Sequence, residues 1–258
     1  MNFKNISPNE FRNFVRKGND ITTDGVCPGY AHANLIIVPK EYAYDLLIFC
    51  LSNNFLKSIL EIVEAGNPYT AYVANKADIR KDLPKYKIFK CGKIFKETND
   101  ISSYWSHNFV SFFIKCTKSF EWLLRTYNIE WIKHGLFITN IPCNPVGPFN
   151  GNLVVTLREF YRSEDAIKAI NLTSRNKIMQ GTPYHMGSPS VIGIKEDLIC
   201  KGIKNTNQES ILHNTMISWD SGATIKKVVE ESKLPIVITN GNARMFVTDL
   251  FLESISDF

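Results

Sequence analysis

Residues 24–51, DGVCPGYAHANLIIVPKEYAYDLLIFCL, place a turn, a buried strand and a helix in immediate succession. Pro28-Gly29 is a turn signal, and the apolar run at residues 35–38 has the length of a buried strand. Apolar residues then recur on one face of a predicted helix at residues 41–51. This alternation continues in both halves of the chain, which is typical of α/β proteins. We therefore predict the α/β class, with a mixed-sheet main domain and a smaller α+β two-layer unit.

Capping signals and hydrophobic periodicity predict the remaining elements. Ser7 and Glu10 form a capping box with Pro8 at the first helical position, which predicts a helix to about residue 17. Residues 109–127 carry the clearest apolar stripe of helical spacing, which predicts a helix that faces the core. Further helices are expected at residues 163–173 and 224–229, and strands at 60–63, 86–89, 93–96, 153–157, 191–194, 216–219, 236–239 and 245–250.

The domain prediction depends on the hairpin expected at residues 86–96 and the long helix expected after it. These two elements define a smaller hairpin-plus-helix unit at residues 77–148. Residues 1–76 and 149–258 then form a discontinuous main α/β domain. The last two predicted strands are expected to pair with each other.

Composition excludes several classes of protein. The chain has 258 residues, 44% of them hydrophobic and 21% charged, which is enough core material to exclude disorder. The net charge of +5 is spread along the chain, so we expect neither a nucleic-acid nor a membrane partner. Six scattered cysteines and five isolated histidines argue against a disulfide framework and a metal site. The longest apolar run, residues 46–51, cannot span a bilayer, so a soluble, cytoplasmic protein is expected.

No standard catalytic motif is present, so the candidate sites are turns rich in Gly, Pro and Asn. Tyr30 and Asn34 lie in the turn immediately before the first buried strand and are candidates for ligand contact. The alternative there is a tight turn with a structural Asn. Arg80, in the charged stretch at residues 77–84, is able to hold a carboxylate in two hydrogen bonds. A solvated charge run is the alternative reading of that stretch.

Two later segments combine rigidity with polar side chains. Prolines at positions 142 and 145 hold Thr139, Asn140 and Cys143 rigidly, which favours a ligand-binding loop. Cys143 itself is either an inert buried thiol or a nucleophile. In the turn at residues 181–189, His185 is either a proton carrier or a partly exposed loop histidine. Arg175 either binds an anion or completes the dipole of the preceding helix.

The same segments resemble the D-glutamate cyclase family, whose bacterial members are also catalogued as hydro-lyases. The resemblance covers most of the chain and rests on several blocks in the family's order. These blocks are residues 28–30, 33–35, 39–40, 49–50, 77–80, 82–84, 139–143, 173–175, 181, 183, 185 and 247–250. The resemblance implies an α/β enzyme that cyclises D-glutamate to 5-oxo-D-proline with loss of water, without an organic cofactor.

Lactam formation by such an enzyme assigns roles to the candidate residues. His185 transfers a proton, and Asp82 orients either an arginine or the histidine. The resemblance turns Cys143 into a pocket wall, because cyclisation needs no covalent intermediate. The residues expected to bind the substrate are Arg80 and Arg175 on a carboxylate, and Thr139 and Asn140 on the oxyanion, with Asn34, Tyr30 and Cys143 beside them.

Three segments depart from the family's pattern, and the first of them, residues 133–138, is several residues shorter than usual. Residues 238–245 stand where the family tends to have two histidines, and residues 220–222 stand where a Cys-Gly pair is usual. These departures leave two alternatives open. One is a non-catalytic small-acid binding protein or an accessory subunit in oxoproline metabolism. The other is a hydro-lyase on another dicarboxylic acid. In each case the partner is a small anionic amino or dicarboxylic acid, and a homo-oligomer is possible.

Overall fold

The computed structural model describes residues 3, 5–176, 178, 183–195, 215–220 and 222–252. Its helices are α1 (Pro8–Val15), α2 (Lys40–Ser52), α3 (Thr117–Thr126), α4 (Ser163–Arg175) and α5 (Ala223–Glu231). Its strands are β1 (Tyr30–Pro39), β2 (Ile59–Val63), β3 (Tyr86–Lys90), β4 (Lys93–Thr98), β5 (Phe109–Lys115), β6 (Ile132–Pro142), β7 (Asn152–Phe160), β8 (His185–Met186), β9 (Thr215–Asp220), β10 (Val237–Asn240) and β11 (Phe246–Phe251).

Strand β1 organises the larger sheet, because it is hydrogen-bonded along both edges. Among the described residues this sheet has seven strands in the order β2-β5-β1-β10-β3-β4, and β11 also pairs with β1. One edge of β1 is occupied by β5, from the pair Ala33 and Lys115 to the pair Pro39 and Phe109. The other edge is shared by β10 and β11. Its alternate side chains also enter two different buried cores, since Ile36 and Val38 lie in one and Leu35 and Ile37 in the other. Both faces of β1 are therefore covered, which accounts for the apolar run at residues 35–38.

The smaller sheet packs one of its faces against the larger sheet. Within the described part of the chain its order is β6-β7-β9-β8. Side chains of both sheets, such as Phe112 and Val155, share one buried core with Phe49 of α2 and Val228 of α5. The opposite face of the smaller sheet is covered by α3 and α4 around the buried Trp219. The two sheets therefore enclose a common core, and polar residues gather where that core ends.

The α/β class predicted from the sequence is confirmed, since helices alternate with strands along the chain and cover the sheets. The direction of the strands differs from the expected mixed sheet. Every strand pair in the described residues is antiparallel. The physical reason lies in connectivity. Neighbours joined by short turns, such as β3 and β4, must run in opposite directions, and alternation of element types along the chain does not reveal which strands become neighbours.

The prediction of one helix at residues 109–127 is wrong. Residues 109–115 form the central strand β5, and the helix α3 begins only at Thr117. All seven residues of β5 are buried, so apolar side chains are required on both faces of the strand. Such a run contains apolar residues three and four positions apart by necessity, and it imitates the periodicity of a helix.

Three further predictions about strands are also corrected. Residues 189–192 form a short 3₁₀ helix, whereas a strand was expected at residues 191–194. The two carboxyl-terminal strands exist, but β10 and β11 each pair with β1 rather than with each other. Strand β6 was missed, because Gly135 and two shifts of register interrupt its alternation. Residues 139–142 therefore lie at the end of a strand and not within a turn.

The sheet boundaries do not coincide with the predicted boundaries at residues 76/77 and 148/149. Residues 77–148 supply β3, β4 and β5 to the larger sheet and β6 to the smaller one. The division of the chain into folding units remains a prediction, and limited proteolysis tests it. Among the described residues, no helix is long and apolar enough to cross a membrane.

Gly222 fixes the approach of α5 to the larger sheet. Its backbone has φ of +65°, and a Cβ at this position would collide with the carbonyl oxygen of Lys115 at the end of β5. Only glycine combines this conformation with so close a contact. Gly222 is therefore held against the end of β5, which sets where the first residues of α5 lie relative to the two sheets.

Candidate active site

A cleft of about 570 Å³ opens where the two sheets separate. Two helices begin at its wall. Thr117 and Lys118 belong to the first turn of α3, and Ala223 is the first residue of α5. The amino end of a helix carries partial positive charge and favours anions. The lining therefore includes the first residues of two helices, which the sequence did not predict.

The charged side chains of the cleft are mostly lysines. Lys118, Lys133, Lys226 and Lys227 line it, with Glu230 as the acidic member of the lining. Acids at or beyond the lining neutralise them in part. Lys118 pairs with Asp24, Lys133 with Glu121 at 2.5 Å, Lys226 with Glu230 at 3.6 Å, and Lys227 with Glu231. Only the pair of Lys227 and Glu231 is largely exposed, and exposed ion pairs are weak, so an anionic ligand is able to compete for Lys227.

Lys226 has the least exposed side chain of the four lysines in this lining. Its side chain is 12% exposed, and Glu230 lies 3.6 Å away. Burial lowers its pKa, against the opposing effect of Glu230, and Lys87 lowers it further. A lysine in these surroundings gives up its proton more readily than an exposed lysine, which suits it to proton transfer.

Neutral polar groups complete the lining. The hydroxyl of Thr156 is buried and has no hydrogen-bond partner among the described residues. Asn240 donates from Nδ2 to Oδ1 of Asn34 at 3.4 Å and accepts the backbone N–H of Leu35 at 3.0 Å. A buried hydroxyl without a partner is costly, and a ligand oxygen in the cleft would satisfy it. The lining thus offers donors to a polar, negatively charged ligand.

Of the site residues predicted from the sequence, Asn34 lines this cleft. Tyr30 lines a neighbouring cleft of about 340 Å³, which shares Lys118 and Lys133 with the first. The aromatic ring of Tyr30 packs against Phe251, with 5.4 Å between the ring centroids. Residues 27–34 therefore border the lysine-rich region, but residues 30–34, expected in the turn before the first strand, belong to β1 itself.

The charged stretch at residues 77–84 is placed elsewhere, against α1. Arg80 donates from Nε and Nη2 to the two carboxylate oxygens of Asp78, at 2.8 and 2.9 Å. Asp82 is buried and pairs with Arg16, whose Nη2 lies 2.6 Å from Oδ2. Burial raises the pKa of Asp82, while Arg16 opposes that rise. Asp82 thus orients Arg16 of the first helix, not Arg80 or His185.

The segment at residues 139–143 is held by the protein itself. Thr139 is buried, donates to the carbonyl oxygen of Leu153 at 3.0 Å and accepts the backbone N–H of Ile141. Asn140 is exposed, and the backbone of Gly193 lies against it. Cys143 is buried, which raises the pKa of its thiol to about 11. A thiol with so high a pKa is a poor nucleophile.

His185 lies on the short edge strand β8, opposite Ser218 of β9. Its Nε2 donates to the carbonyl oxygen of Ser188 at 2.9 Å. Arg175 is an exposed residue at the last position of α4. Gly181, the first residue of the turn predicted at residues 181–189, lies outside the described residues. The predicted set is therefore dispersed over several parts of the fold, and the catalytic and binding roles assigned to it remain predictions.

The residues that line the cleft beside Asn34 were missed by sequence reasoning. Lysines at positions 118, 133, 226 and 227 resemble ordinary surface charges, and Thr156 lies in a strand that reads as core. Their proximity depends on the order of strands in two sheets, which the sequence does not display. In the described ranges, no group of three or more His, Cys, Asp and Glu side chains is placed to hold a metal ion.

Comparisons with known proteins agree on one family. The sequence profile described as D-glutamate cyclase matches residues 110–249, which include Lys118, Thr156, Lys226 and Asn240. Proteins named "Putative hydro-lyase" in Clostridium beijerinckii and Rubrobacter xylanophilus are 38% and 36% identical to the chain. The matches cover 96% and 93% of this chain, and 97% and 94% of the two relatives.

A relative from Staphylococcus haemolyticus with the same description is 36% identical over 100% of both chains. Among solved structures, a nitrogen repressor-like protein from Methanococcus jannaschii matches 90% of this chain and 91% of its own. Its identity is 11% and its TM-score 0.39, so this likeness carries no conclusion.

Proposed function

The chain belongs to the D-glutamate cyclase family, and from that premise we propose that it is a hydro-lyase. The proposed reaction converts D-glutamate into 5-oxo-D-proline and water. The observation that carries the proposal is the lysine-rich cleft between the two sheets, whose lining includes the first residues of α3 and α5. D-Glutamate carries two carboxylates, and each of them needs a cationic or N–H-rich partner.

The two ends of the cleft divide the binding of the substrate. Lys118 and the amino end of α3 bind the α-carboxylate, while Lys226 and the amino end of α5 lie against the γ-carboxylate. The hydroxyl of Thr156 donates to the oxygen that becomes negative when the amine attacks the γ-carbon. A fixed donor at that position stabilises the tetrahedral intermediate more than the ground state. The amide groups of Asn34 and Asn240 fill the remaining polar wall.

Ring closure forms one C–N bond and breaks one C–O bond. The substrate ammonium loses two protons in all, and the departing carboxylate oxygen leaves with both of them as water. Lys226 carries each proton from the nitrogen to that oxygen, since its lowered pKa allows it to accept and to return a proton. No oxidant, reductant or other co-reactant enters this balance.

The roles that the sequence suggested for other residues are kept as separate hypotheses. His185 is proposed there as the proton carrier and Arg80 or Arg175 as the carboxylate partner. Arg80 lies in the fork formed with Asp78, and His185 donates to Ser188. Substrate binding by Arg80 therefore requires this ion pair to open. The variants His185→Ala and Arg80→Ala test those roles directly, and unchanged turnover would exclude each of them.

A second candidate function is the binding of a small dicarboxylic acid without turnover, as an accessory subunit in oxoproline metabolism. The observation that favours it is the wall at Asn240 and Asn242, in the segment where the family tends to have two histidines. Amide side chains bind substrates but do not transfer protons near neutral pH. A hydro-lyase on a different dicarboxylic acid is the corresponding alternative for the substrate.

One experiment distinguishes these functions. The purified protein is incubated with a panel of D- and L-dicarboxylic amino acids and hydroxy acids, and loss of water is followed by mass spectrometry. Cyclisation of D-glutamate supports the proposal. Turnover of another acid would identify that acid as the substrate in place of D-glutamate. Binding measured by calorimetry without loss of water would support the accessory role. The Lys226→Met variant, with Lys233→Met as a matched exposed control, assigns any turnover to the cleft.

A further inference from the structure

A second, smaller cleft of about 270 Å³ lies at the end of β9. Asn53, Asn54 and Lys57 line one side of it, and Tyr184 and Asp220 line the other. The cleft takes one wall from the segment that joins α2 to β2, which is itself tied to the loop after β6. Asn144 donates its backbone N–H to Oδ1 of Asn53 at 2.6 Å, and Asn53 donates from Nδ2 to the carbonyl oxygen of Asn144 at 2.9 Å.

The carboxylate of Asp220 has only long hydrogen bonds from the described residues around it. Its Oδ1 accepts the N–H of Gly222 at 3.2 Å and the hydroxyl of Thr224 at 3.3 Å, and its Oδ2 accepts the hydroxyl of Ser58 at 3.5 Å. Hydrogen bonds to an ionised carboxylate are normally shorter than 3.0 Å. The two oxygens therefore retain much of their capacity to accept a hydrogen bond from a ligand.

Lys57 is the cationic member of the same lining. No ion pair joins Lys57 to Asp220 in the described part of the chain, although both face this cleft. Burial raises the pKa of Asp220 to about 6, against weaker opposing effects that include Lys57. The cleft thus presents one acidic and one basic side chain that are not joined in an ion pair among the described residues.

We propose that this cleft binds a small α-amino acid as a zwitterion, with the ligand ammonium on Asp220 and the ligand carboxylate on Lys57. The amides of Asn53 and Asn54 and the phenol of Tyr184 complete the polar lining. A carboxylate and an ammonium group in one cleft match a zwitterion better than they match an anion or a cation alone, because each charge of the ligand meets its opposite. The site is separate from the lysine-rich cleft and does not depend on the reaction proposed for it.

The two clefts are lined by residues close together in the sequence. Asp220 lines the smaller cleft and Ala223 lines the larger one. The hydroxyl of Thr224 lies between Asp220 and Val154, accepting the N–H of Val154 at 2.9 Å. Val154 in turn lines the larger cleft. Mutations at one cleft must therefore be checked for effects on the other, and the test uses variants of both.

The test measures binding of glycine to the full chain by isothermal titration calorimetry at pH 7.5. Acetate and methylammonium serve as half-ligands that carry only one of the two charges. Glycine is expected to bind at least tenfold more tightly than either half-ligand. Asp220→Asn and Lys57→Met are each expected to weaken glycine binding at least tenfold, while Lys226→Met and the exposed control Lys233→Met leave it unchanged.

Three results would overturn the proposal: no glycine binding, equal binding of glycine and a half-ligand, or loss of binding in Lys226→Met but not in Asp220→Asn. Circular dichroism spectra of the variants exclude misfolding as the cause of a loss. Asp220→Glu is the second variant at this position. It keeps the charge, so partial recovery of glycine binding supports a direct contact with the carboxylate, and no recovery together with a native spectrum counts against it.

Discussion

The two clefts, one lined by Ala223 at the start of α5 and the other by Asp220 at the end of β9, differ in the charge of their linings. The larger cleft, of about 570 Å³, has four lysines, one glutamate and the amino ends of two helices. The smaller cleft, of about 270 Å³, has one lysine and one aspartate. The first lining suits a ligand with an excess of negative charge, and the second suits a ligand whose charges balance. The two clefts are thus suited to small acids of different net charge.

The contrast also extends to the titration of the two sites. In the larger cleft burial lowers the pKa of Lys118 and Lys226, which brings these cations closer to their neutral form. In the smaller cleft burial raises the pKa of Asp220 to about 6. The same physical effect, loss of solvation, therefore favours a proton acceptor in one cleft and a partly protonated carboxyl group in the other.

The largest expected effect is the loss of turnover in Lys226→Met. Methionine keeps the length and apolar body of the side chain but is unable to carry a proton. We expect kcat for water loss from D-glutamate to fall about a hundredfold or more, the usual size of a general acid–base contribution. The matched variant Lys233→Met, at an exposed position, keeps the wild-type kcat. Wild-type turnover by Lys226→Met would show that Lys226 does not transfer the proton.

The next effect is expected from Thr156→Val, which replaces a buried hydroxyl by a methyl group of the same shape. We expect kcat/KM to fall about a hundredfold, because a single donor to the developing oxyanion is lost. Stability to urea is expected to stay the same or to increase, since the hydroxyl has no partner among the described residues. An activity equal to wild type, measured beside the exposed control Thr126→Val, would place the hydroxyl away from the substrate.

A smaller effect is expected from Lys118→Met at the amino end of α3. Lys118 already pairs with Asp24, so its loss removes one of several cations rather than the site. We expect KM for D-glutamate to rise about threefold at low salt with kcat unchanged, and the difference to shrink at high ionic strength. Lys93→Met, in the exposed hairpin, is the control. A fall in kcat without a rise in KM would contradict a binding role.

The smallest effect concerns stability at the other cleft. The folded chain holds the proton of Asp220 more tightly than the unfolded chain does, because burial raises its pKa from 3.8 to about 6. The charged form therefore costs stability above pH 6, and this cost disappears as the pH falls from 6 to 4. Relative to Asp220→Asn, the wild type is expected to gain stability over that range in urea unfolding.

Other groups must be subtracted in that measurement. Burial lowers the pKa of His32 to about 4, so His32 stabilises the folded chain above its ordinary pKa and loses this contribution as the pH falls. His32 is present in both proteins, so it cancels in the difference between wild type and Asp220→Asn. A difference that stays constant from pH 8 to pH 4 would show that Asp220 titrates normally.

Local signals predicted much of the fold. The capping box of Ser7 and Glu10 is present at the start of α1, and the helix at residues 41–51 appears as α2. The hairpin of β3 and β4 is also as predicted. In each case the signal lies within a few residues of the element it specifies, so no knowledge of the distant chain was needed.

The errors arose where burial comes from distant parts of the chain. Strand β5 lies between β1 and β2, and both of its faces are buried, so its apolar residues imitate a helix. Strand β6 contains Gly135, Asn140 and Pro142, residue types that are typical of turns, and it is recognisable only through its pairing with β7. Hydrophobic periodicity cannot distinguish a strand buried on both faces from a helix, because the strand has apolar residues at nearly every position.

The candidate site was only partly visible for the same reason. Asn34 was found because it precedes an apolar strand in a turn-like segment, and it lines the larger cleft. Lys118, Thr156 and Lys226 come from three separate elements that the order of the sheets brings together. Gly- and Pro-rich turns do mark rigid positions, but Thr139 and Cys143 use that rigidity for packing and internal hydrogen bonds.

The most direct test compares water loss from D-glutamate in three proteins under one set of conditions. Wild type and Asp220→Asn are expected to form 5-oxo-D-proline at similar rates, and Lys226→Met is expected to form about a hundredfold less. Mass spectrometry follows the product, and circular dichroism confirms that each variant is folded. If Lys226→Met is as active as wild type while Asp220→Asn is inactive, the smaller cleft is the catalytic one and the assignment made here is wrong.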